Sequence, residues 1–267
     1  MNKHLLIIDP QFDFCDPSGA LYVKGAENDM DRLAAFIDKN GDLINHISVT
    51  LDSHHKFDIA HPTFWVDNDG NHPTPFTMIT SKDIESGRWR TAMSDSDELD
   101  EDALKYTKAL ESGGKYSLII WPEHCLIGSR GHSIHDGLFK SLMRWSNTNK
   151  QVNFVTKGEN QFTEHYSAIK PEVIREGDEV KQWFVDLLEE SDEILVAGEA
   201  LSHCVAATVT DIADHFKNQN SIKRITLLED CTSSVTGFEK SGKDFINLMG
   251  SRGMRLRKST TDYKFIV

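Results

Sequence analysis

Cys204, Asp9 and Lys157 are the side chains here whose types and settings could do chemistry together. Cys204 lies in ILVAGEALSHCVAATVTDIADHF, where an apolar strand-like run ends at Gly198 and a helical pattern begins near Ser202. With Ser202 as N-cap, the thiol falls in the first helical turn, where unpaired N–H groups and the positive end of the helix dipole favour a thiolate. Position alone settles nothing, because cysteine at a strand-to-helix junction is more often packed than reactive. Asp9 closes the strand HLLIID and Lys157 follows VNFVT. A carboxylate at a strand end is commonly a turn residue, and a lysine before glycine is commonly a solvated charge. Together the three supply a nucleophile, a proton shuttle and a fixed positive charge, the requirements of amide hydrolysis through a thioester.

For these residues to meet, the chain must bring strand ends to one edge. Strand-like runs recur at His4–Asp9, Ile44–Asp52, Ser117–Trp121, Val152–Thr156, Ile194–Ala197, Ile225–Leu228 and Met254–Arg257. Helical spacing occupies Asn28–Asp38, His135–Trp145, Val180–Glu189, Ser202–Phe216 and Phe238–Met249. This alternation predicts an α/β fold, a doubly wound, mostly parallel sheet of about six strands with helices on both faces. In such sheets ligands bind beyond the carboxyl ends of the strands, which puts Asp9 and Asp52 on the functional edge. From about 56 to 115 the periodicity fades and His, Pro, Asn, Asp and Ser accumulate, while PTFWVDNDGNHPTPF is too aromatic for disorder. That stretch is expected to be an ordered excursion near the active site, inserted in a single domain spanning 1–267. Its acidic run from Ser94 to Tyr106 reads as the approach to a short exposed helix.

Composition narrows the function classes. Apolar residues make up 39% and charged residues 27% of the 267, with a net charge of −13. That balance excludes nucleic acid or an anionic membrane as the main partner. No apolar run reaches the roughly 20 residues that span a bilayer, and the sequence opens directly on a strand rather than a leader pattern. The four cysteines are scattered without close pairs, so reduced thiols and a cytoplasmic location are expected.

IIDPQFDF followed by GAL, the strand-ending TLDSHH, WPEHC, TKG with YSA downstream, and GEALSHCV resemble the isochorismatase-like cysteine hydrolases, most closely their nicotinamidase branch. These motifs run in the family's order from residue 5 to about 235. The resemblance implies that Cys204 attacks a carboxamide carbon, that Asp9 takes the thiol proton and passes it to departing ammonia, and that Lys157 holds both charges. It implies an oxyanion hole from the backbone N–H groups of Ala200 and Cys204, with a cis peptide between Glu199 and Ala200. It further implies one divalent metal ion, zinc first with iron or manganese as alternatives, held by Asp52, His54 and His124. One carboxylate and two imidazoles suit those metals and leave positions open for water or a pyridine nitrogen. His61 ranks lower as a further ligand, since it stands nine residues after Asp52 where close relatives place theirs eight after. Phe14 and Trp121 match aromatics of the family's substrate pocket.

Several positions depart from that pattern. Pro10 replaces a small aliphatic, Glu199, Leu201 and Ser202 stand where nicotinamidases usually show an aliphatic, Thr and Asp, and 69 residues separate His54 from His124. These changes bear on the substrate more than on the chemistry. The expected activity is hydrolysis of nicotinamide to nicotinate and ammonia. A metal-containing cysteine hydrolase of another small amide, ureide or carbamoyl compound is the alternative, and a non-catalytic binding member is a third reading. A small-molecule amide is the expected partner, and relatives imply a homo-oligomer.

Overall fold

In the computed structural model, residues 1–93, 97–113, 117–147, 149–175 and 177–261 are described. Six strands form the main sheet: β1 (Lys3–Ile8), β2 (His46–Asp52), β3 (Val152–Lys157), β4 (Glu193–Gly198), β5 (Ile225–Leu228) and β6 (Arg255–Arg257). Their order across the sheet is β6-β5-β4-β1-β2-β3, and every neighbouring pair is parallel. β1 and β4 are buried along their whole length, as continuous apolar runs covered on both faces must be.

The longer helices are α1 (Ala26–Asn40), α2 (Asp97–Gly113), α3 (Asp136–Ser146), α4 (Gln182–Glu189), α5 (Ala206–His215) and α6 (Glu239–Arg252). From β1 the chain steps outward to β2 and β3, then returns to β4 and steps the other way to β5 and β6. Right-handed crossovers in opposite directions put their helices on opposite faces. Accordingly α1 packs with α3, while α4 and α6 both pack with α5. The reversal of direction lies between β1 and β4, and a crevice opens there beyond the carboxyl ends of the strands.

Three expectations change. Leu118–Ile119 pairs antiparallel with Met78–Ile79 in a separate two-stranded ribbon, so the SLIIW run is not part of the main sheet. Its Leu118 and Ile120 serve a second cluster instead, made with Ile59, Phe64, Trp65, Ile79, Trp89, Ala103, Tyr106 and Leu110. The acidic segment carries the 17-residue α2, which buries Ala103, Tyr106, Thr107 and Leu110 against that cluster and is neither short nor wholly exposed. Ser94–Ser96, where its acidic run begins, lie outside the described residues. Finally, Ser202 is not an N-cap: the turn Leu201–Val205 is wound more widely than an α-helix, starts at Ala200 without a side-chain cap, and leads into α5.

Gly198 ends β4 at φ 111°, opposite Ile8 in the register. A Cβ there would lie 2.0 Å from the Ile8 carbonyl oxygen and 2.5 Å from its nitrogen. Gly198→Ala is therefore expected to destabilise the fold by about 3 kcal/mol or more, read as a lowered denaturant midpoint at unchanged slope.

Candidate active site

Three strand ends supply the centre of the crevice. Asp9 leaves β1 at φ 43°, in the left-handed region that aspartate tolerates better than most residues. Its Oδ1 accepts a hydrogen bond from the Thr50 hydroxyl at 2.5 Å, and the same hydroxyl oxygen accepts from the Asp9 N–H at 3.0 Å. Lys157 ends β3 directly opposite Asp52 of β2 in the strand register. Its Nζ lies 3.0 Å from Asp9 Oδ2, 2.9 Å from Asp52 Oδ1 and 3.6 Å from Cys204 Sγ, and donates to the His165 carbonyl at 2.7 Å. The side chains of Lys157 and Asp9 are entirely shielded from solvent. Atoms of Asp9, Asp52 and Cys204 lie within 4.8 Å of one another. The three residues expected to meet at one rim of the sheet do so.

Burial and charge set their protonation. Burial pushes the Asp9 carboxyl above its ordinary value despite the pull of Lys157 and Thr50. Burial would lower Lys157, but Asp52, Asp9 and Cys204 outweigh it and hold the ammonium charged. Burial likewise pushes the Cys204 thiol well up, against the attraction of Lys157. The helix-terminus expectation of a resting thiolate is thus corrected: desolvation wins, and the sulfur rests as a thiol beside a carboxyl whose own proton affinity is raised.

Beside this centre lies a cluster of imidazoles. His54, His61 and His124 are buried, with ligand atoms within 4.8 Å of one another. His54 Nε2 is 3.2 Å and His124 Nε2 3.5 Å from Asp52 Oδ2. His54 Nδ1 is engaged by Asp58 Oδ2 at 2.9 Å, and His124 Nδ1 by the Pro122 carbonyl at 2.8 Å. Those outer partners fix both rings with Nε2 turned toward the Asp52 oxygen. His61 Nε2 sits 3.4 Å from His124 Nδ1, and its own Nδ1 is buried without a partner among the described residues. Burial, then the neighbouring imidazoles, push His61 down to about 2, so it stands as a neutral donor. Three buried imidazoles, two of them within 3.5 Å of one carboxylate oxygen and the third with an orphaned nitrogen, suit a divalent metal ion. His61, ranked below the others on spacing, is a full member of the cluster.

Phe14 and Trp121 line the crevice as expected, with Leu21, Glu164, Tyr166, His203 and Val235 completing the walls around Cys204 and Ala200. Trp121 Nε1 donates to the Tyr166 hydroxyl at 3.1 Å. Its ring meets those of His203 at 5.3 Å and, from the excursion, Phe76 at 5.9 Å, both edge-on. Glu164 is buried, and burial raises it to about 7. The peptide between Glu199 and Ala200 is cis, as the resemblance implied.

Sequence reasoning missed four supporting residues. Gln11 clamps the Asp52 backbone, its Oε1 accepting from the Asp52 N–H and its Nε2 donating to the Asp52 carbonyl, both at 2.7 Å. Asp13 Oδ2 accepts from the Cys125 N–H at 2.7 Å and so fixes the peptide after His124. Both stand within the DPQFDF motif, which was legible as a motif but not as a clamp. Thr50 was findable from alternation, being two residues before Asp52 and hence on the same face of β2. Asp58, four residues after His54, had no spacing signal within a polar run.

A parallel sheet thus carries a cysteine, an aspartate and a lysine gathered at its switch point. No family model matches the chain. Over 209 residues it is 26% identical to the nicotinamidase of Escherichia coli (strain K12), covering 78% of this chain and 75% of that one. Its fold is similar to that of the yeast nicotinamidase Pnc1p bound to the inhibitor nicotinaldehyde, at a TM-score of 0.65 and 20% identity over 96% of this chain and 99% of that one. It is also similar to that of the pyrazinamidase of Pyrococcus horikoshii in complex with zinc, at a TM-score of 0.55 and 17% identity over 97% and 99% of the two chains. In sequence and in fold, then, the chain is similar to nicotinamidases. Among the described residues no helix is long and apolar enough to cross a membrane.

Proposed function

We propose that this chain hydrolyses nicotinamide to nicotinate and ammonia, with Cys204 as nucleophile, Asp9 as proton shuttle and Lys157 as the fixed cation. The single observation that carries this reading is the contact of the Lys157 ammonium with Asp9, Asp52 and the Cys204 sulfur in one buried group. As Sγ forms its bond to the carboxamide carbon, Asp9 accepts the thiol proton and the carbonyl oxygen gains the negative charge. The N–H groups of Ala200 and Cys204 are the proposed donors to that oxygen. Collapse breaks the C–N bond, and Asp9 returns the proton to the leaving nitrogen, releasing ammonia and a thioester. Water then adds to the thioester with Asp9 again taking a proton, and the thiol departs with it as nicotinate forms. Phe14, Trp121, Tyr166 and His203 offer flat faces suited to a single heteroaromatic ring.

Asp52, His54, His124 and His61 are the proposed ligands of a divalent ion, zinc in the first instance. When bound, the ion supplies an electrophilic anchor for water or a ring nitrogen. Asp58 orients His54 from outside, so Asp58→Asn should weaken zinc binding about 10- to 100-fold, measured by titration against a competing chelator. The overall reading is tested by ammonia release from nicotinamide with zinc-loaded protein: turnover is expected from the wild type and none above background from Cys204→Ala. Absence of turnover by the zinc-loaded wild type would sink it.

A further inference from the structure

Two departures from the family pattern end differently in the structure. The Glu199 carboxyl accepts from the Ser233 N–H at 3.0 Å and does not line the crevice. The long interval between His54 and His124, by contrast, meets Trp121 of the crevice wall through the ring of Phe76. Thr74, Pro75, Phe76 and Thr77 form a tight turn closed by the Thr77 N–H on the Thr74 carbonyl at 3.1 Å, and the two threonine hydroxyls meet across it at 3.3 Å. Proline suits the first central position of such a turn, while the second has φ 69° and carries Phe76. With positive φ that position ordinarily takes glycine or asparagine, and a bulky side chain there is strained. Burial does not offset the strain, since Phe76 is 57% exposed.

The backbone around this turn fixes where the ring goes. Phe76 N–H donates to the Ile120 carbonyl at 2.5 Å, Ile120 N–H donates to the Thr77 carbonyl at 2.8 Å, and the antiparallel ribbon of Met78–Ile79 with Leu118–Ile119 continues the same pairing. Those bonds set Phe76 beside Trp121, the residue after Ile120, and the two rings stand 5.9 Å apart at 85°. That is the edge-to-face arrangement in which aromatic pairs attract. On its other sides Trp121 meets His203 at 5.3 Å, Phe238 at 6.2 Å and Tyr166, whose hydroxyl accepts from its Nε1 at 3.1 Å. His203 and Tyr166 line the crevice with Trp121, and Phe76 backs them from the excursion. Neither the turn's own preference nor burial accounts for an aromatic residue at position 76; the contact with Trp121 does.

We propose that Phe76 is a positioning residue for substrate binding: its ring, held on an unfavourable turn, steadies Trp121 as the wall against which the flat ring of the amide lies. The inference rests on the reading of the crevice as the site of a heteroaromatic amide. Phe76 acts through Trp121 rather than on the reacting atoms, so its effect falls on substrate and transition state alike and is felt in KM rather than kcat.

The test compares wild type with Phe76→Asn and Phe76→Tyr by kcat and KM for ammonia release from nicotinamide and by denaturant melts. It adds hydrogen exchange at the Trp121 indole N–H, assigned in isotope-labelled protein with the help of Trp121→Phe. Asparagine suits the left-handed turn position and lacks the ring. Phe76→Asn should raise KM about 3- to 10-fold with kcat within about twofold of wild type, speed the indole exchange, and leave the denaturant midpoint at or above that of wild type. Phe76→Tyr, which keeps the ring, should hold KM and indole exchange within about twofold of wild type. The melts separate positioning from support of the fold, because a ring kept for the fold would lower the midpoint when removed. A Phe76→Asn protein with unchanged KM, with unchanged indole exchange or with a lowered midpoint would overturn the proposal. A wild type inactive on nicotinamide would sink the substrate reading instead, and the melts and indole exchange, which need no substrate, would then decide the role of Phe76.

Discussion

Lys157→Met is expected to abolish turnover and to cost about 3–5 kcal/mol of folding stability at neutral pH, the range for removing one partner of a buried ion pair. The ammonium is the cation in direct contact with both the Asp9 and the Asp52 carboxylates, and none of the three side chains has appreciable access to solvent. Methionine matches the aliphatic stem but leaves two desolvated negative charges facing each other. The pH dependence follows from sign. In the variant, the Asp9 carboxylate, which burial already raises, has a folded-state pKa above its unfolded value, so its penalty is fully present above the folded pKa and shrinks as pH falls and the group is protonated. The stability gap between variant and wild type should therefore narrow on acidification, checked by denaturant melts at several pH values. A gap that is constant with pH would mean that lost packing, not stranded charge, is the cause.

Asp9→Asn is expected to lower kcat/KM for nicotinamide by about 10³- to 10⁴-fold while leaving the fold intact, because the amide keeps the shape and loses the proton acceptor. Cys204 rests as a thiol, pushed up first by burial, so it cannot attack until its proton is accepted. Asp9 must be ionised to accept it, and burial raises that carboxyl. Wild-type kcat/KM should accordingly fall as pH drops, with a midpoint above the usual carboxylate value of 3.8. The residual activity of the variant should lack that limb. Steady-state pH profiles of the two proteins provide the comparison, and an unaltered acid limb in Asp9→Asn would remove Asp9 from the role.

Much of this arrangement could be read from the sequence because its residues sit at or just beyond the ends of apolar strands, where the apolar run stops and a polar side chain remains. Asp9, Asp52 and Lys157 are of that kind, and Cys204 lies in the turn that follows β4. What escaped were residues whose role depends on long-range packing. His61 looked displaced by one position, yet a turn closed by its N–H on the Asp58 carbonyl returns the ring to His54 and His124. The SLIIW run carries a strand pattern that does not say which strand it will pair with, and its partner is Met78–Ile79 rather than β1 or β2. The hydroxyl of Ser202 fits a capping role by residue type, but it is used by His203 and by the Val235 N–H. Glu199 looked like a pocket substitution, because adjacency in sequence does not reveal which side of the turn a side chain takes.

The excursion packs its aromatic and aliphatic residues into a cluster separate from the one around the sheet, and it delivers His61 to imidazoles rooted in the main body. An ion gripped by all three rings would tie that lobe to the sheet. By linkage, whatever free energy the ion gains from the closed lobe, the lobe gains from the ion. Metal scarcity would then be felt as partial opening of one flank of the molecule, with the buried Asp9–Lys157–Asp52 group left standing.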